Sequence, residues 1–391
     1  MPPCLAGREF ETGDFQRLLH QSTILENLVL TGLRGLGKTV LLEKFKPLAI
    51  QSGWLWSGTD LTESAGVSEE NLVIRVLTDL AVATSSIVVG SRHVYKVGFG
   101  EDPVPKRVTL NYPALRHLFD TTPGLVSDKL KAVLEFVWPH VERSGRRGMI
   151  FAYDEAQNLA DHAAKDQYQL SLLLDVFQSI QRKGMRFMLL LTGLPTLFGK
   201  LVDARTYAER MFHIVFLHPL TEAETLEAIR KPIEQSNLPM KLPQESFRKI
   251  WEITRGYPYF VQYVCREAFD VWVQSIGHRG PSPGIPIREI IRKLDSDFFA
   301  GRWAKATDRQ RDLLGIISRL PNSDSEFSVQ AIVESSANQS LKKPFSGSHA
   351  NQMLVSLSHA GLIYKNRHGK YSFAVPLLGE FIRRQDEDST Q

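Results

Sequence analysis

Along the first half of the chain, short apolar runs alternate with stretches whose apolar residues recur every three or four positions. LENLVLTG (25–32) reads as a buried strand and TVLLEKFKPLAIQ (39–51) as the helix that follows it. WLWSGTDL (54–61) is strand-like and ENLVIRVLTDLAVATS (70–85) is helical. SDKLKAVLEFVWPHVERSG (127–145) predicts a helix closed by a basic end and Gly145. RRGMIFAYDEA (146–156) is a short apolar strand with acids at its C-terminal end, and YQLSLLLDVFQSIQRKG (168–184) is again helical. MRFMLLLTGLP (185–195) and FHIVFLHPL (212–220) add two strands. Strands separated by helices imply a parallel sheet covered on both faces. Residues 88–124 break the rhythm and predict an inserted hairpin or a mobile loop.

From residue 221 the pattern changes. TEAETLEAIRKPIEQ, ESFRKIWEIT and YFVQYVCREAFDVWVQSI are three helical periods in succession. A Gly/Pro-rich bend, GHRGPSPGIP (277–286), precedes a fourth, IREIIRKLDSDFFAGRW. Next come two helical stretches, DRQRDLLGIISRL and SVQAIVESSA. An amphipathic one follows, SHANQMLVSLSHAG, with Ala350, Met353, Leu354, Leu357 and Leu362 on one side. LIYKNRHGKYSFAV closes the series as two short strands around a basic tip. Three helices and then a hairpin is the outline of a winged helix.

Composition narrows the class. The chain has 391 residues, 43% hydrophobic and 23% charged, enough for two or three domains with real cores. No apolar run approaches the roughly 18 residues that span a bilayer. The start, MPPCLAGREFE, lacks the basic and apolar regions of a secretory signal. The expectation is a cytoplasmic protein with no membrane partner. Its two cysteines, Cys4 and Cys265, are far apart and read as free thiols. No HExxH or Cys/His cluster points to a structural metal. The net charge of +4 permits nucleic-acid contact but does not argue for it.

The chemistry starts in TGLRGLGKTV, Thr31 to Val40. Gly32, four residues, Gly37, Lys38 and Thr39 satisfy GxxxxGK[ST], placed after an apolar strand and opening a helix. The glycines let backbone N–H groups wrap phosphate oxygens, and the helix N-terminus adds partial positive charge. Gly32, Gly35, Gly37, Lys38, Thr39 and Val40 are the candidate nucleotide contacts. Lys38 would reach the β and γ phosphates, and the Thr39 hydroxyl would bind Mg²⁺.

A second motif ends the strand MIFAYDEAQ (149–157) in Asp154 and Glu155. Beside a phosphate loop, Asp154 would hold Mg²⁺ through water. Glu155 would orient and deprotonate the attacking water. A glutamate at that place favours hydrolysis over simple binding, although acids at strand ends are also common without any such role. Thr192, in LLLTGLP, ends the next strand, where it could touch the γ-phosphate or the lytic water, or simply close a turn. Arg210, in YAERMFHIVF, is either an arginine finger toward a neighbouring subunit's nucleotide or a solvated arginine; Arg205 is the weaker candidate.

With these motifs in place, the chain resembles the AAA+ superfamily over nearly its whole length. LAGREFE is similar to the family's N-terminal box, which implies Gly7 and Arg8 near the adenine. Gly32 to Thr39 matches Walker A, FAYDE matches Walker B, and Thr192 falls at sensor 1. The resemblance implies an α/β fold: a P-loop core with a parallel sheet and helices on both faces (1–220), an all-α lid (221–300) and a small winged-helix domain (301–391). That layout is the origin-recognition type, and the same parts occur in the STAND class of signalling ATPases. It implies ATP and Mg²⁺ as cofactors and a nucleotide-dependent homo-oligomer. One departure stands out. Where origin-recognition proteins carry a sensor 2 arginine, RGYPYFVQYV holds Tyr259. Gly256-Tyr257-Pro258 is instead similar to the GxP element of STAND proteins, which implies Pro258 near the nucleotide. It also reads as one helix capped by Gly256 and another opened by Pro258.

Two purposes for the ATP follow. The first is a nucleotide-switched DNA-binding ATPase. Lys365, Arg367, His368 and Lys370 cluster at the wing, where cations meet phosphates, and Asn351 and Gln352 on the preceding helix can read adenine edges. The second is a STAND-like switch in which the winged helix acts on the ATPase and a protein partner receives the signal.

Overall fold

The structure, a computed structural model, describes residues 5–94, 104–236, 242–275, 285–338, 343–367 and 369–388. The chain forms two compact units. One gathers residues 9–32 and 38–216; the other gathers Leu33–Gly37 and the chain from Leu217 onward, with the segment that ends at Arg8.

In chain order the first unit holds α1 (Glu9–Leu19), β1 (Asn27–Thr31), α2 (Lys38–Gln51), β2 (Trp54–Asp60), α3 (Glu69–Thr84), β3 (Val88–Val94) and β4 (Val104–Thr109). It continues with α4 (Tyr112–Thr121), α5 (Val126–Arg143), β5 (Gly148–Asp154), β6 (Asp161–His162), β7 (Gln167–Tyr168) and α6 (Gln169–Arg182). It ends with β8 (Phe187–Gly193), α7 (Thr196–Ala204), α8 (Ala208–Met211) and β9 (Phe212–Phe216). Five strands make one sheet in the order β2-β5-β8-β1-β9, with every pairing parallel. The three inner strands, NLVLT, GMIFAYD and FMLLLTG, are buried at every residue. That explains why their sequences are continuous apolar runs and not alternating ones: both faces are covered. The outer strands WLWSGTD and FHIVF have partly exposed positions, as edges do. The expected α/β parallel sheet is therefore observed.

The break at 88–124 is part ribbon and part helix. β3 and β4 pair antiparallel, and α4 follows, its first turn capped by the Asn111 side chain accepting from the Ala114 N–H at 3.0 Å. The ribbon's tip lies outside the described residues. A helical period of only ten residues beside two prolines hid α4 from the pattern.

The second unit contains α9 (Glu222–Gln235), α10 (Gln244–Thr254), α11 (Pro258–Ser275), α12 (Ile287–Leu294) and α13 (Gly301–Trp303). After these come α14 (Asp308–Ser318), β10 (Phe327–Ser328), α15 (Val329–Asn338), α16 (Gly347–His359), β11 (Ile363–Arg367), β12 (Lys370–Phe373) and α17 (Leu378–Asp388). Most of the predicted bend at 277–286 lies outside the described residues. Thr221 with Glu224, and Thr307 with Gln310, form reciprocal caps that start α9 and α14. The predicted helix over IREIIRKLDSDFFAGRW is not uniform. Asp295–Ala300 forms a π-helical stretch between α12 and α13. It presents Phe298 and Phe299 to an aromatic cluster: Phe299 stacks on Phe381 at 5.1 Å, and Phe260 meets Phe298 edge-on at 5.2 Å. Arg384 forks onto Asp295 at 2.9 and 2.6 Å from the C-terminal helix.

The tail folds as three helices (α14, α15, α16) and an antiparallel sheet in the order β10-β12-β11. Ala350, Leu354 and Leu357 face its core, Met353 is half-buried, and Leu362 is buried just past the helix. The two-residue strand β10 adds a third strand that the sequence pattern is too short to show. Among the described residues, no helix is long and apolar enough to cross a membrane.

Candidate functional site

Parallel topology puts the C-terminal ends of β1, β8 and β5 side by side, with Thr31, Thr192 and Asp154 at or one residue before those ends. Asp154, at the end of β5, is only 4% exposed and accepts three hydrogen bonds. Its Oδ2 accepts the Thr39 hydroxyl at 2.5 Å, and its Oδ1 accepts the Glu155 N–H at 2.8 Å and the hydroxyl of Thr192. A buried carboxylate needs such donors, because an unpartnered one would be costly. Thr39 in the first turn of α2, the strand-end acid Asp154 and Thr192 on the neighbouring strand are thus one connected group. Thr192 is fully buried, so its hydroxyl is committed to Asp154.

Lys38 opens α2 with 8% exposure, and its ammonium donates to the Gly32 carbonyl at 2.8 Å. The Gly32 N–H in turn donates to Gly193 O at 3.3 Å, tying the loop's start to the end of β8. Gly35 and Gly37 have φ of +82° and +87°, the left-handed region where a side chain is strained. Val40 is half-buried inside the first turn of α2.

In the second unit, Leu33–Gly37 is held by its own neighbours. Tyr259 N–H donates to Gly35 O at 3.2 Å. Arg8 is buried, and its guanidinium donates to Leu36 O at 3.2 Å and to His218 O at 2.9 Å. Gly7 has φ +64°, and a Cβ there would lie 2.6 Å from the Glu224 side chain. Gly256 is obligatory for the same reason: φ is +70°, and a Cβ would lie 1.9 Å from Leu220 O. Pro258 is the first residue of α11, where its missing N–H costs nothing. Arg255 extends from the left-handed region to Glu380, Nε to Oε1 3.1 Å.

Glu155 is half-buried, with φ 51° and ψ 35°. A non-glycine residue held there costs of order 1–3 kcal/mol and is found where the surroundings enforce it. The Glu155 backbone is held by its N–H on Asp154 Oδ1 and by the Asn158 N–H on Glu155 O at 2.9 Å, and its side chain by Gln157, which the sequence offered only as the last letter of MIFAYDEAQ. Its Nε2 donates to Glu155 Oε2, and its Oε1 accepts the Leu194 N–H at 3.1 Å. Lys200 donates to the Gln157 carbonyl at 2.7 Å, and burial pushes the Lys200 pKa down. No motif marks Gln157 or Lys200; the contacts appear only when β5 and β8 lie together.

Thr39 and Asp154 fit Mg²⁺. They are hard oxygen donors in contact, too few to cage an ion alone, which is how a Mg²⁺ completed by phosphate and water oxygens is held. Among the described residues no group of three or more His, Cys, Asp or Glu could form a protein-only metal site.

The two arginine candidates differ. Arg205 is engaged: it forks onto Asp175 at 2.8 and 2.6 Å and donates to Ser171 Oγ at 2.7 Å. Burial raises the Asp175 pKa, but the Arg205 fork and the Tyr207 hydroxyl at 2.6 Å outweigh it and hold the carboxyl below its usual range. Arg210, on the single turn α8, is exposed in a cleft of about 650 Å³ shared with Leu25, Arg182 and Tyr207.

In the winged helix, Asn351, Gln352 and Lys365 are exposed and Lys370 is half-buried. Asn351 and Lys365 line one cleft of about 480 Å³ between α16 and the wing, together with Val355, His359 and Tyr371; Gln352 is not part of it. Tyr371 donates its hydroxyl to Asn351 Oδ1 at 2.9 Å, which leaves the Asn351 amide donors for another partner. The Arg367 side chain and His368 lie outside the described residues.

A family model described as a domain of unknown function (DUF8462) matches residues 296–382. No curated protein matches the chain in sequence. Among solved structures, the chain is similar to the Walker-type ATPase PABY2304 of Pyrococcus abyssi, with 16% identity, 97% of this chain and 96% of that one covered, and a TM-score of 0.58. It is also similar to the ORC2 protein of Aeropyrum pernix. The ADP form gives 15% identity, 99% and 95% coverage and a TM-score of 0.54; the ADPNP–ADP complexes give 14%, 100% and 96%, and 0.53. These likenesses show the fold: a parallel sheet covered by helices, then a helical region and a small antiparallel sheet.

Proposed function

We propose that the protein binds Mg²⁺·ATP, hydrolyses it in the cytoplasm, and couples its nucleotide state to double-stranded DNA through the winged helix. The observation that carries the hydrolytic reading is the connected group Thr39–Asp154–Thr192 with Glu155 beside it. The loop from Gly32 to Thr39 would cradle phosphates with backbone N–H groups, and Lys38 would turn from the Gly32 carbonyl to the β and γ phosphates. Thr39 and Asp154 would hold Mg²⁺, which supplies charge neutralisation at the phosphate oxygens. Glu155 would orient the attacking water and accept its proton, and Thr192 would keep Asp154 aimed. Arg8 would brace the loop through Leu36. Gly7 and Pro258 stay assigned to the nucleotide by family resemblance. Arg210, exposed, would serve a neighbouring copy in a homo-oligomer.

The DNA part rests on the exposed Asn351, Gln352 and Lys365, with Lys370 and Arg367 on the same two strands of the wing. A second reading, a STAND-like switch acting on a protein partner, draws on the Gly256–Pro258 element and on the Arg255–Glu380 ion pair between lid and tail. One experiment separates them: ATP turnover with and without double-stranded DNA, at low and moderate salt. Salt-sensitive stimulation that weakens in Lys365→Glu supports the DNA reading. Slow turnover, retained nucleotide and no salt-sensitive DNA complex would refute it in favour of the switch.

A further inference from the structure

Gln157 touches two things that hydrolysis needs to know about each other. On one side is Glu155, whose Oε2 takes a hydrogen bond from the Gln157 amide. On the other is the turn after β8, where Gln157 Oε1 accepts the Leu194 N–H at 3.1 Å. That turn follows the strand whose last residues are Thr192 and Gly193, and Thr192 holds Asp154. Gly193 leaves the space this requires: a Cβ there would lie 2.5 Å from Gln157 Oε1. Lys200 fixes the backbone of the same residue from α7. Glu155 sits in the left-handed region at the start of this arrangement, so its side chain is aimed by its neighbours and not by a relaxed backbone.

We propose that Gln157 is the positioning residue of the hydrolytic base. It holds one carboxylate oxygen of Glu155 and leaves the other facing water, and it links that aim to the Thr192–Leu194 turn. This rests on the reading of Glu155 as the base. In the step served, the water oxygen bonds to the γ-phosphorus while the bond from that phosphorus to the β–γ bridging oxygen breaks. ADP keeps the bonding electron pair, and the water's proton passes to the free Glu155 oxygen. A carboxamide suits the task because it donates to the base and accepts from the turn at once, and it does not itself titrate.

The test compares wild type with Gln157→Ala, Gln157→Glu, Glu155→Gln and the Gln157→Ala/Glu155→Gln double variant. Affinity is read with a fluorescent ATP analogue and turnover by phosphate release as a function of pH. We expect Gln157→Ala to keep nucleotide affinity and lose roughly tenfold or more in kcat, a part of what a positioned base contributes. The loss should vanish in the Glu155→Gln background, because residues acting as a unit are not additive. Gln157→Glu puts two carboxyl groups in contact, and such a pair shares one proton. Its protonated member can still donate, so turnover should persist at lower pH and fall as pH rises and the shared proton leaves. Wild-type kcat in Gln157→Ala, a wild-type pH profile in Gln157→Glu, or a full additional loss in the double variant would overturn the proposal. Should Glu155→Gln turn over normally, the base assignment itself is wrong and the proposal falls with it. An inactive Glu155→Gln beside an unaffected Gln157→Ala overturns only the role of Gln157.

Discussion

Replacing Thr192 with valine isolates the hydroxyl that holds Asp154. The two side chains have nearly the same shape, and the site is fully buried, so valine leaves no cavity. What it removes is one donor to a carboxylate that is 4% exposed. A hydrogen bond to a charged group contributes about 1.5–3 kcal/mol, and the two donors left, Thr39 and the Glu155 N–H, are already engaged and cannot replace it. A loss of about 2 kcal/mol in a unit of this size lowers Tm by roughly 4–8 °C. Thr192→Ser is the matched control. It keeps the hydroxyl and deletes a buried methyl, worth about 1 kcal/mol, or roughly 2–4 °C. Calorimetry of the nucleotide-free proteins at neutral pH should therefore rank wild type above serine and serine above valine. Valine equal to wild type, or more stable than serine, would mean that packing and not the hydroxyl keeps threonine at this position.

Three further outcomes are expected. Lys38→Ala should abolish ATP binding in an equilibrium titration while leaving Tm within a few degrees; unchanged affinity would sink the phosphate-loop assignment. Arg210→Ala mixed with Glu155→Gln should recover some ATPase activity if Arg210 serves a neighbouring subunit, and none if it acts within its own chain. Asp175→Asn should lower Tm at neutral pH, because the folded carboxyl titrates below its usual range. That contribution is present above the unfolded pKa of about 3.9 and is lost as pH falls through the lower folded value. The Tm difference should close below about pH 4; a gap constant with pH would assign the effect to packing.

The parts of this molecule that could be read in advance are those written in contiguous residues. The loop Gly32–Thr39 and the pair Asp154–Glu155 are spelled out along the chain, and the apolar runs that became β1, β5 and β8 are long enough to announce buried strands. Thr192 could be placed at a strand end, but its commitment to Asp154 depends on two strands meeting in register. Gln157 stood in plain sight two residues after Glu155 and carried no signal, since its second partner is a backbone N–H in the turn after β8. Arg205 was the weaker of the two arginine candidates, and its engagement by Asp175, on a distant helix, could not be seen along the chain. The π-helical stretch at Asp295–Ala300 has no distinct periodicity over so few residues, and β10 is two residues long.

The order of strands also sets a timetable for synthesis. β1 emerges early, yet its sheet neighbours are β8 and β9: Leu28 lies opposite Leu190 on one side and His213 on the other. At the ~5–20 residues per second of translation, the strand that leads into the Gly32–Thr39 loop waits seconds for its first partner. Pairings so distant in sequence also form slowly once the chain is complete. Until then NLVLT is an unpaired apolar segment with both faces open, the kind of surface that aggregates or occupies a chaperone. A nascent chain stopped before Phe187 would carry the Gly32–Thr39 loop in its sequence without a sheet neighbour for the strand that presents it.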